Sequence, residues 1–255
     1  MPTACFVWYE LMTTDVAAAS AFYAGVVGWS AQDSGMPGVE YTLLKVGDAQ
    51  VAGLMRLPAE LAAIGTPPSW RGYVAVDDVD ATEARLLKAG GKVVRPADDI
   101  PGVGRFASVA DPQGALFLLF KPLRADPPPR PAADAPGTAG WHELRAVDGA
   151  TAFDFYATLF GWTKGEGLDM GPAGIYQLFD IDGVPSGGVM TRESDATPPS
   201  WHYYFRVDAI DAAAQRVARL GGAVTQGPHQ VPGGSWVLYG RDPQGVTFAL
   251  MSMTR

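Results

Sequence analysis

Two glutamates in matching surroundings carry the first chemical hint. Glu10 stands in Trp8-Tyr9-Glu10-Leu11 and Glu143 in Trp141-His142-Glu143-Leu144. Residues two apart on a strand share a face, so Trp8, Glu10 and Met12 project together, as do Trp141, Glu143 and Arg145. Each trio is an aromatic wall with one acid at its edge. A carboxylate so placed can move a proton, anchor a polar ligand or bind a metal ion. It can equally do no more than pair with Arg71 or Arg145, or point into water. Tyr41, Met55, Arg71 and Tyr73 are expected around the first acid, and Tyr176, Met190, His202 and Tyr204 around the second. Rings with few polar groups suit a flat or partly apolar organic molecule, although rings on strands also pack as ordinary core. The candidate catalytic set is Glu10 or Glu143 to shuttle a proton, with Arg71 or His202 to stabilise a developing oxyanion. Glycine-rich loops at 101–106 and 232–236 add Arg105 and Trp236 as candidate contacts at the cavity mouths. The two occupy one repeat position, so the two sites need not hold the same ligand.

The elements that must position these residues are themselves duplicated. Phe22-Tyr23 recurs as Phe155-Tyr156, Gly28-Trp29 as Gly161-Trp162, and Pro67-Pro68-Ser69-Trp70 as Pro198-Pro199-Ser200-Trp201. Gly90-Gly91 recurs as Gly221-Gly222, and Asp111-Pro112-Gln113-Gly114 as Asp242-Pro243-Gln244-Gly245. Prolines crowd the stretch from Lys121 to Thr138, which denies it helix or central strand and makes it a semi-stiff spacer. The expected organisation is a first domain over 1–122, a linker over 123–137 and a second domain over 138–255.

Within the first copy, Asp15 is the N-cap candidate for a helix over Val16–Val27 that Gly28 stops. Strands over 41–46 and 50–56 follow, divided by the Gly47-Asp48 turn. The second half repeats the order: a strand over 72–76, a helix opened by Asp77 or Asp78 and ended by Gly90-Gly91, then strands at 93–94, 106–110 and 115–120. Asp111-Pro112-Gln113-Gly114 is read as a type I turn before the last of these. Strand, helix and three strands thus occur about four times, which makes the fold class α+β, built of four βαβββ modules. A single helix covers one face of such a sheet; the other must meet a partner or enclose a ligand. Trp29, Trp70, Trp162 and Trp201 lie at element ends, where they are expected to be structural.

A length of 255 residues with 47% hydrophobic content supports real cores. The net charge of −8, with Lys and Arg scattered, argues against nucleic acid. No apolar run reaches the length of a membrane span, and the single cysteine, Cys5, suits a reducing cytoplasm. The partner expected is therefore a small organic ligand, with no nucleic acid and no membrane, for a monomer of two domains or a homodimer.

The helix signatures Ala21-Phe22-Tyr23 to Gly28-Trp29 and Asp154-Phe155-Tyr156 to Gly161-Trp162, the openings Val76-Asp77 and Val207-Asp208, and both Asp-Pro-Gln-Gly turns resemble the vicinal oxygen chelate superfamily. That superfamily includes glyoxalase I, extradiol dioxygenases and bleomycin resistance proteins. Trp-x-Glu-Leu in both copies and Pro101-Gly102-Val103-Gly104-Arg105-Phe106 resemble its tandem-domain glyoxalase-like subgroup, which includes a mycobacterial culture-filtrate antigen and streptomycete proteins labelled as hydroxylases. The resemblance implies modules paired into two glyoxalase-like domains with curved mixed sheets enclosing cavities. It also implies a divalent metal held by His, Gln or Glu. Here the family's ligand positions fall on Trp8, near Gly53 and Arg71, and on Leu118 in the first copy. In the second they fall on Trp141, near Gly188 and His202, and on Ala249. Only His202 could coordinate an ion, so no metal cofactor is expected. The resemblance thus implies binding of a small organic metabolite or toxic compound without the usual metal centre. The alternatives are a metal-dependent glyoxalase (lyase) or dioxygenase with shifted ligands, and a non-catalytic sequestering resistance protein.

Overall fold

The structure is a computed structural model that describes residues 4–36, 38–123 and 130–255. The centre of the proline-rich spacer, residues 124–129, lies outside the described residues.

The first copy runs β1 (Phe6–Thr13), α1 (Val16–Val27), β2 (Ser30–Asp33), β3 (Tyr41–Val46), β4 (Ala49–Arg56) and the short α2 (Ala59–Ala63). It continues through β5 (Ser69–Ala75), α3 (Val79–Lys88), β6 (Lys92–Ile100), β7 (Gly104–Ala110) and β8 (Leu116–Pro122). The second copy repeats the order as β9 (Ala139–Ala146), α4 (Gly149–Phe160), β10 (Thr163–Asp169), β11 (Ile175–Ile181) and β12 (Val184–Thr191). It closes with β13 (Ser200–Arg206), α5 (Ile210–Arg219), β14 (Ala223–Gln230), β15 (Trp236–Arg241) and β16 (Thr247–Ser252).

Local chemistry sets the helix ends. Asp15, Asp78 and Asp148 each cap a helix by accepting from the backbone N–H three residues on. Gly28 and Gly161 close α1 and α4 at φ of 91° and 78°, a left-handed conformation that a side chain resists. α5 departs from this pattern, because Ala209 stands at its cap position and makes no side-chain bond.

The strands form two eight-stranded mixed sheets, ordered β2-β3-β4-β1-β5-β8-β7-β6 and β10-β11-β12-β9-β13-β16-β15-β14. Neither closes into a barrel. The pairings β1·β4, β5·β8, β9·β12 and β13·β16 are parallel, and the hairpins are antiparallel. The register sets Glu10 opposite Gly53 and Glu143 opposite Gly188.

Compactness cuts across the two copies. One compact unit comprises residues 1–7, 71–126 and 141–202, the other 8–70, 127–140 and 203–255. In the first unit the Tyr156 hydroxyl donates to Asp111 Oδ2 at 3.1 Å and accepts from Trp201 Nε1 at 3.0 Å. In the second the Tyr23 hydroxyl donates to Asp242 Oδ2 at 3.2 Å and accepts from Trp70 Nε1 at 3.0 Å. The repeated Phe-Tyr, Ser-Trp and Asp-Pro-Gln-Gly segments are therefore parts of one structural clasp. Each clasp ties the helix of one copy to the turn of the other. Burial raises the Asp111 and Asp242 carboxyls above the ordinary aspartate range, against the pull of the donors around them. Gln113 adds to the first clasp: its side-chain amide accepts from Asp148 N at 2.8 Å and donates to Asp148 O at 2.8 Å.

The four tryptophans beside glycines and prolines are buried members of these cores. Trp29 Nε1 donates to Gly137 O and Trp162 Nε1 to Ala4 O. His229 lies on β14 opposite Val237.

Candidate functional site

Each first strand brings its tryptophan and glutamate to a tyrosine from the hairpin. In the first copy Trp8 Nε1 donates to the Tyr41 hydroxyl at 2.8 Å, and that hydroxyl bonds the Glu10 carboxylate. Burial and the Glu10 charge push the Tyr41 phenol well above its ordinary range, so it remains a proton donor. In the second copy Trp141 Nε1 donates to the Tyr176 hydroxyl at 2.8 Å, which donates to Glu143 Oε2 at 3.2 Å.

The glycine opposite each glutamate makes this possible. A Cβ at Gly53 would strike the Tyr41 ring, and one at Gly188 would strike the Tyr176 ring. The strand surrenders its side chain so that a tyrosine can lie across it.

The second copy gathers more charge around its acid. Arg145 Nε donates to Glu143 Oε1 at 2.9 Å, with the Arg145 side chain 23% exposed and that of Glu143 only 7%. Glu143 thus accepts from a different donor at each oxygen, and the Arg145 side chain is the more exposed of the ion pair. His202 is half-buried beside this pair, and Ser200 Oγ stands 3.1 Å from its Nε2. Burial holds the His202 imidazole down at about 4; the Glu143 charge pulls upward and the Arg145 charge downward, both more weakly. His202 is therefore neutral near pH 7. Met190 is buried opposite Arg145 in the strand register.

The remaining candidates are placed as follows. Met12 lies opposite Met55, and Met55 opposite Tyr41. Arg71 and Tyr73 are buried on β5, with Tyr73 edge-on to Phe120 at 6.0 Å. Tyr204 donates to the Tyr239 hydroxyl at 2.6 Å. Arg105 lies on β7 and Trp236 opens β15, rather than standing in loops, and each has a partner tied to the first turn of a helix. Arg105 binds Asp80 in the first turn of α3 at 2.7 Å and Asp99 at 3.0 Å. Trp236 lies under the Arg255 guanidinium at 4.8 Å, and Arg255 in turn binds Asp211 in the first turn of α5. A carboxylate on each helix draws the cation there, a partnership the loop sequence does not reveal. His142 points away from Glu143, stacking on Phe6 at 4.4 Å and donating from Nδ1 to Ser186 O at 2.8 Å.

The residues do not fit a divalent ion. Gly53 and Gly188 offer no donor, and Leu118 and Ala249 are buried apolar positions. Among the described residues no group of three or more His, Cys, Asp and Glu converges. Glu143 and His202 are two donors, and an ion there would meet the fixed positive charge of Arg145. Sequence reasoning did not find the bond from Tyr176 to Glu143; a glycine facing the acid and a tyrosine at the start of the preceding strand were the available signals.

Comparison with known proteins agrees with this architecture. Residues 8–120 match the family model described as "Glyoxalase-like domain", and residues 138–250 that of the "Glyoxalase/Bleomycin resistance protein/Dioxygenase superfamily". The Mycobacterium tuberculosis protein named "Putative glyoxylase CFP32" is 33% identical over 246 residues, covering 96% of this chain and 93% of its own. "Anthracycline biosynthesis protein DauV" of Streptomyces sp. (strain C5) is 32% identical over 261 residues, covering 96% and 92%. Among solved structures, the Mn(II)-bound glyoxalase from Novosphingobium aromaticivorans superposes with a TM-score of 0.65 at 19% identity, covering 100% of this chain and 83% of that one. A homoprotocatechuate 2,3-dioxygenase from Brevibacterium fuscum gives 0.68 at 17%, covering 98% and 72%. The chain belongs to the glyoxalase, bleomycin resistance protein and dioxygenase superfamily, with two glyoxalase-like domains in tandem.

Proposed function

We propose that this chain binds a small organic molecule carrying an acidic oxygen, and that it does so in its second copy without a metal ion. The carrying observation is the Arg145–Glu143 pair beside neutral His202. Glu143, held by Tyr176, fixes Arg145 so that its guanidinium faces the ligand already oriented, which reduces the entropy lost on binding. A ligand hydroxyl that gives its proton to His202 leaves an oxyanion for Arg145. The new anion raises the proton affinity of the imidazole, so the two events support each other. The relatives' names, a glyoxylase and an anthracycline biosynthesis protein, suit a small oxygenated metabolite as ligand.

A metal-dependent lyase or dioxygenase is the second reading, favoured by the Mn(II)-bound glyoxalase among the structural neighbours. Metal analysis of protein purified without chelator separates the two. The proposal expects sub-stoichiometric Mn, Fe, Ni and Zn. One equivalent of any of these, lost in Glu143→Ala or His202→Ala, would sink it.

A further inference from the structure

His202 is one end of a hydrogen-bonded pair. Ser200 and His202 lie two apart on β13, so they share a face, and Ser200 Oγ stands 3.1 Å from His202 Nε2. Trp201 between them points to the opposite face, where its Nε1 donates to Tyr156 in the clasp. The strand is thus pinned from behind, which holds the hydroxyl and the imidazole in register. Both residues are half-buried, so solvent reaches the pair. The first copy keeps the serine as Ser69 in Pro67-Pro68-Ser69-Trp70 but has Arg71 two residues on. A guanidinium cannot take up a proton. A proton acceptor beside this serine therefore exists on one side of the duplication only.

A serine hydroxyl can donate one hydrogen bond and accept another at the same oxygen, so it can stand between a proton source and a proton acceptor. The charges that act on the imidazole are Glu143 and Arg145 on β9, with Tyr176 of β11 holding Glu143. Glu143 favours the imidazolium and Arg145 opposes it. An oxyanion that neutralises Arg145 tips the balance toward proton uptake.

We propose that Ser200 carries the ligand's proton to His202. The ligand hydroxyl gives its proton to Ser200 Oγ as the serine's own proton passes to His202 Nε2. The O–H bonds of ligand and serine break, a new O–H forms on Ser200 and an N–H forms on His202. What is left is a ligand oxyanion, a neutral serine and an imidazolium. In the free protein this requires the Nδ1–H tautomer of His202, with Nε2 accepting from the serine. The relay rests on the reading of Arg145 and His202 given above and names the ligand class: a phenol or enol, whose hydroxyl is acidic enough to ionise.

4-Nitrophenol, whose phenolate is yellow, tests it. At pH 6 the phenolate-to-phenol ratio of the bound probe, read by absorbance, should be about tenfold lower in Ser200→Ala than in wild type, the worth of one hydrogen bond to a charged group. Ser200→Thr, which keeps the hydroxyl, should restore it. Nitrogen-15 NMR of the free protein, with the His202 signals identified by their loss in His202→Asn, should show the Nδ1–H tautomer. That measurement is made on wild type and decides even where a variant fails to fold. A His202 protonated at Nε2 overturns the relay. So does an unchanged ratio in Ser200→Ala, or a lowered one that Ser200→Thr does not restore. In each of these cases probe binding that is lost in Arg145→Met leaves the Arg145 site standing. If wild type binds 2-naphthoate but not 4-nitrophenol, the relay falls and the Arg145 site stands; if it binds neither, both fall.

Discussion

Mild acid should destabilise this protein through two histidines, and His142 offers the cleaner test. Burial holds its pKa at about 4, against an ordinary value of 6.5. Its folded pKa lies below its unfolded one, so its stabilisation is present above pH 6.5 and is lost as pH falls toward 4. Between pH 7.5 and 5 the unfolded imidazole gains nearly a whole proton and the folded one about a tenth. Linkage converts the full shift to about 2 kcal/mol over that interval. The ring is only half-buried, and solvent screening reduces the expectation to about 1 kcal/mol. His142→Asn keeps a donor for Ser186 O and removes the titration. It also forfeits the stack on Phe6, worth about 1 kcal/mol at every pH. Urea unfolding of both proteins at pH 7.5, 6.5, 5.75 and 5 measures the difference. Asp111 and Asp242, raised above their ordinary values, work in the opposite sense, losing stability as pH rises; they are common to both proteins and cancel. The variant should be less stable at pH 7.5, and the gap should narrow by about 1 kcal/mol by pH 5. A gap that stays constant across the series would refute the assignment of a neutral, buried His142.

Other consequences follow from the clasps and the site. Asp111→Ala strands the Tyr156 hydroxyl and the N–H groups of Gln113 and Ala115, and calorimetry should register a loss of about 3–5 kcal/mol. Tyr156→Phe removes the one oxygen that joins Asp111 to Trp201 and should cost about 1–3 kcal/mol in urea denaturation. Gly188→Ala drives a Cβ into the Tyr176 ring; urea denaturation should show about 1–3 kcal/mol of destabilisation, and near-UV circular dichroism of the Trp141–Tyr176 pair should change. Tyr176→Phe keeps the ring and loses the bond to Glu143, so it should weaken binding of a carboxylate probe about tenfold if Glu143 serves to orient Arg145.

Much of the fold was legible because local chemistry and tertiary structure agree. Asp15 and Gly28 bound α1 to Val16–Val27 as their cap chemistry requires. The edge strands β2 and β10 were not legible: Ser30–Asp33 is exposed throughout and carries no apolar alternation, and Thr163–Asp169 is almost as exposed. The clasps show a deeper limit. The duplication exposed Tyr23, Asp111, Tyr156 and Asp242 as repeated residues, but two equal turns cannot say which helix each serves, and the answer crosses between copies. In the candidate site, Arg145 beside Glu143 followed from strand alternation. Tyr176 required a partner 33 residues away and a glycine beneath it, which pattern alone does not connect. The partners of Arg105, Asp80 and Asp99, lie on α3 and β6, whose facing direction the sequence around Arg105 does not specify.

The central claim is that the Arg145 guanidinium takes the place of a divalent ion in holding the ligand's acidic oxygen. Calorimetric titration of 2-naphthoate in the presence of EDTA, on wild type and on Arg145→Met, tests it most directly. The expected result is binding by wild type that the chelator leaves unchanged and that falls about tenfold or more in Arg145→Met, the first copy's own residue at this position. Binding that appears only after a divalent metal is restored, or that Arg145→Met leaves intact, would contradict the claim.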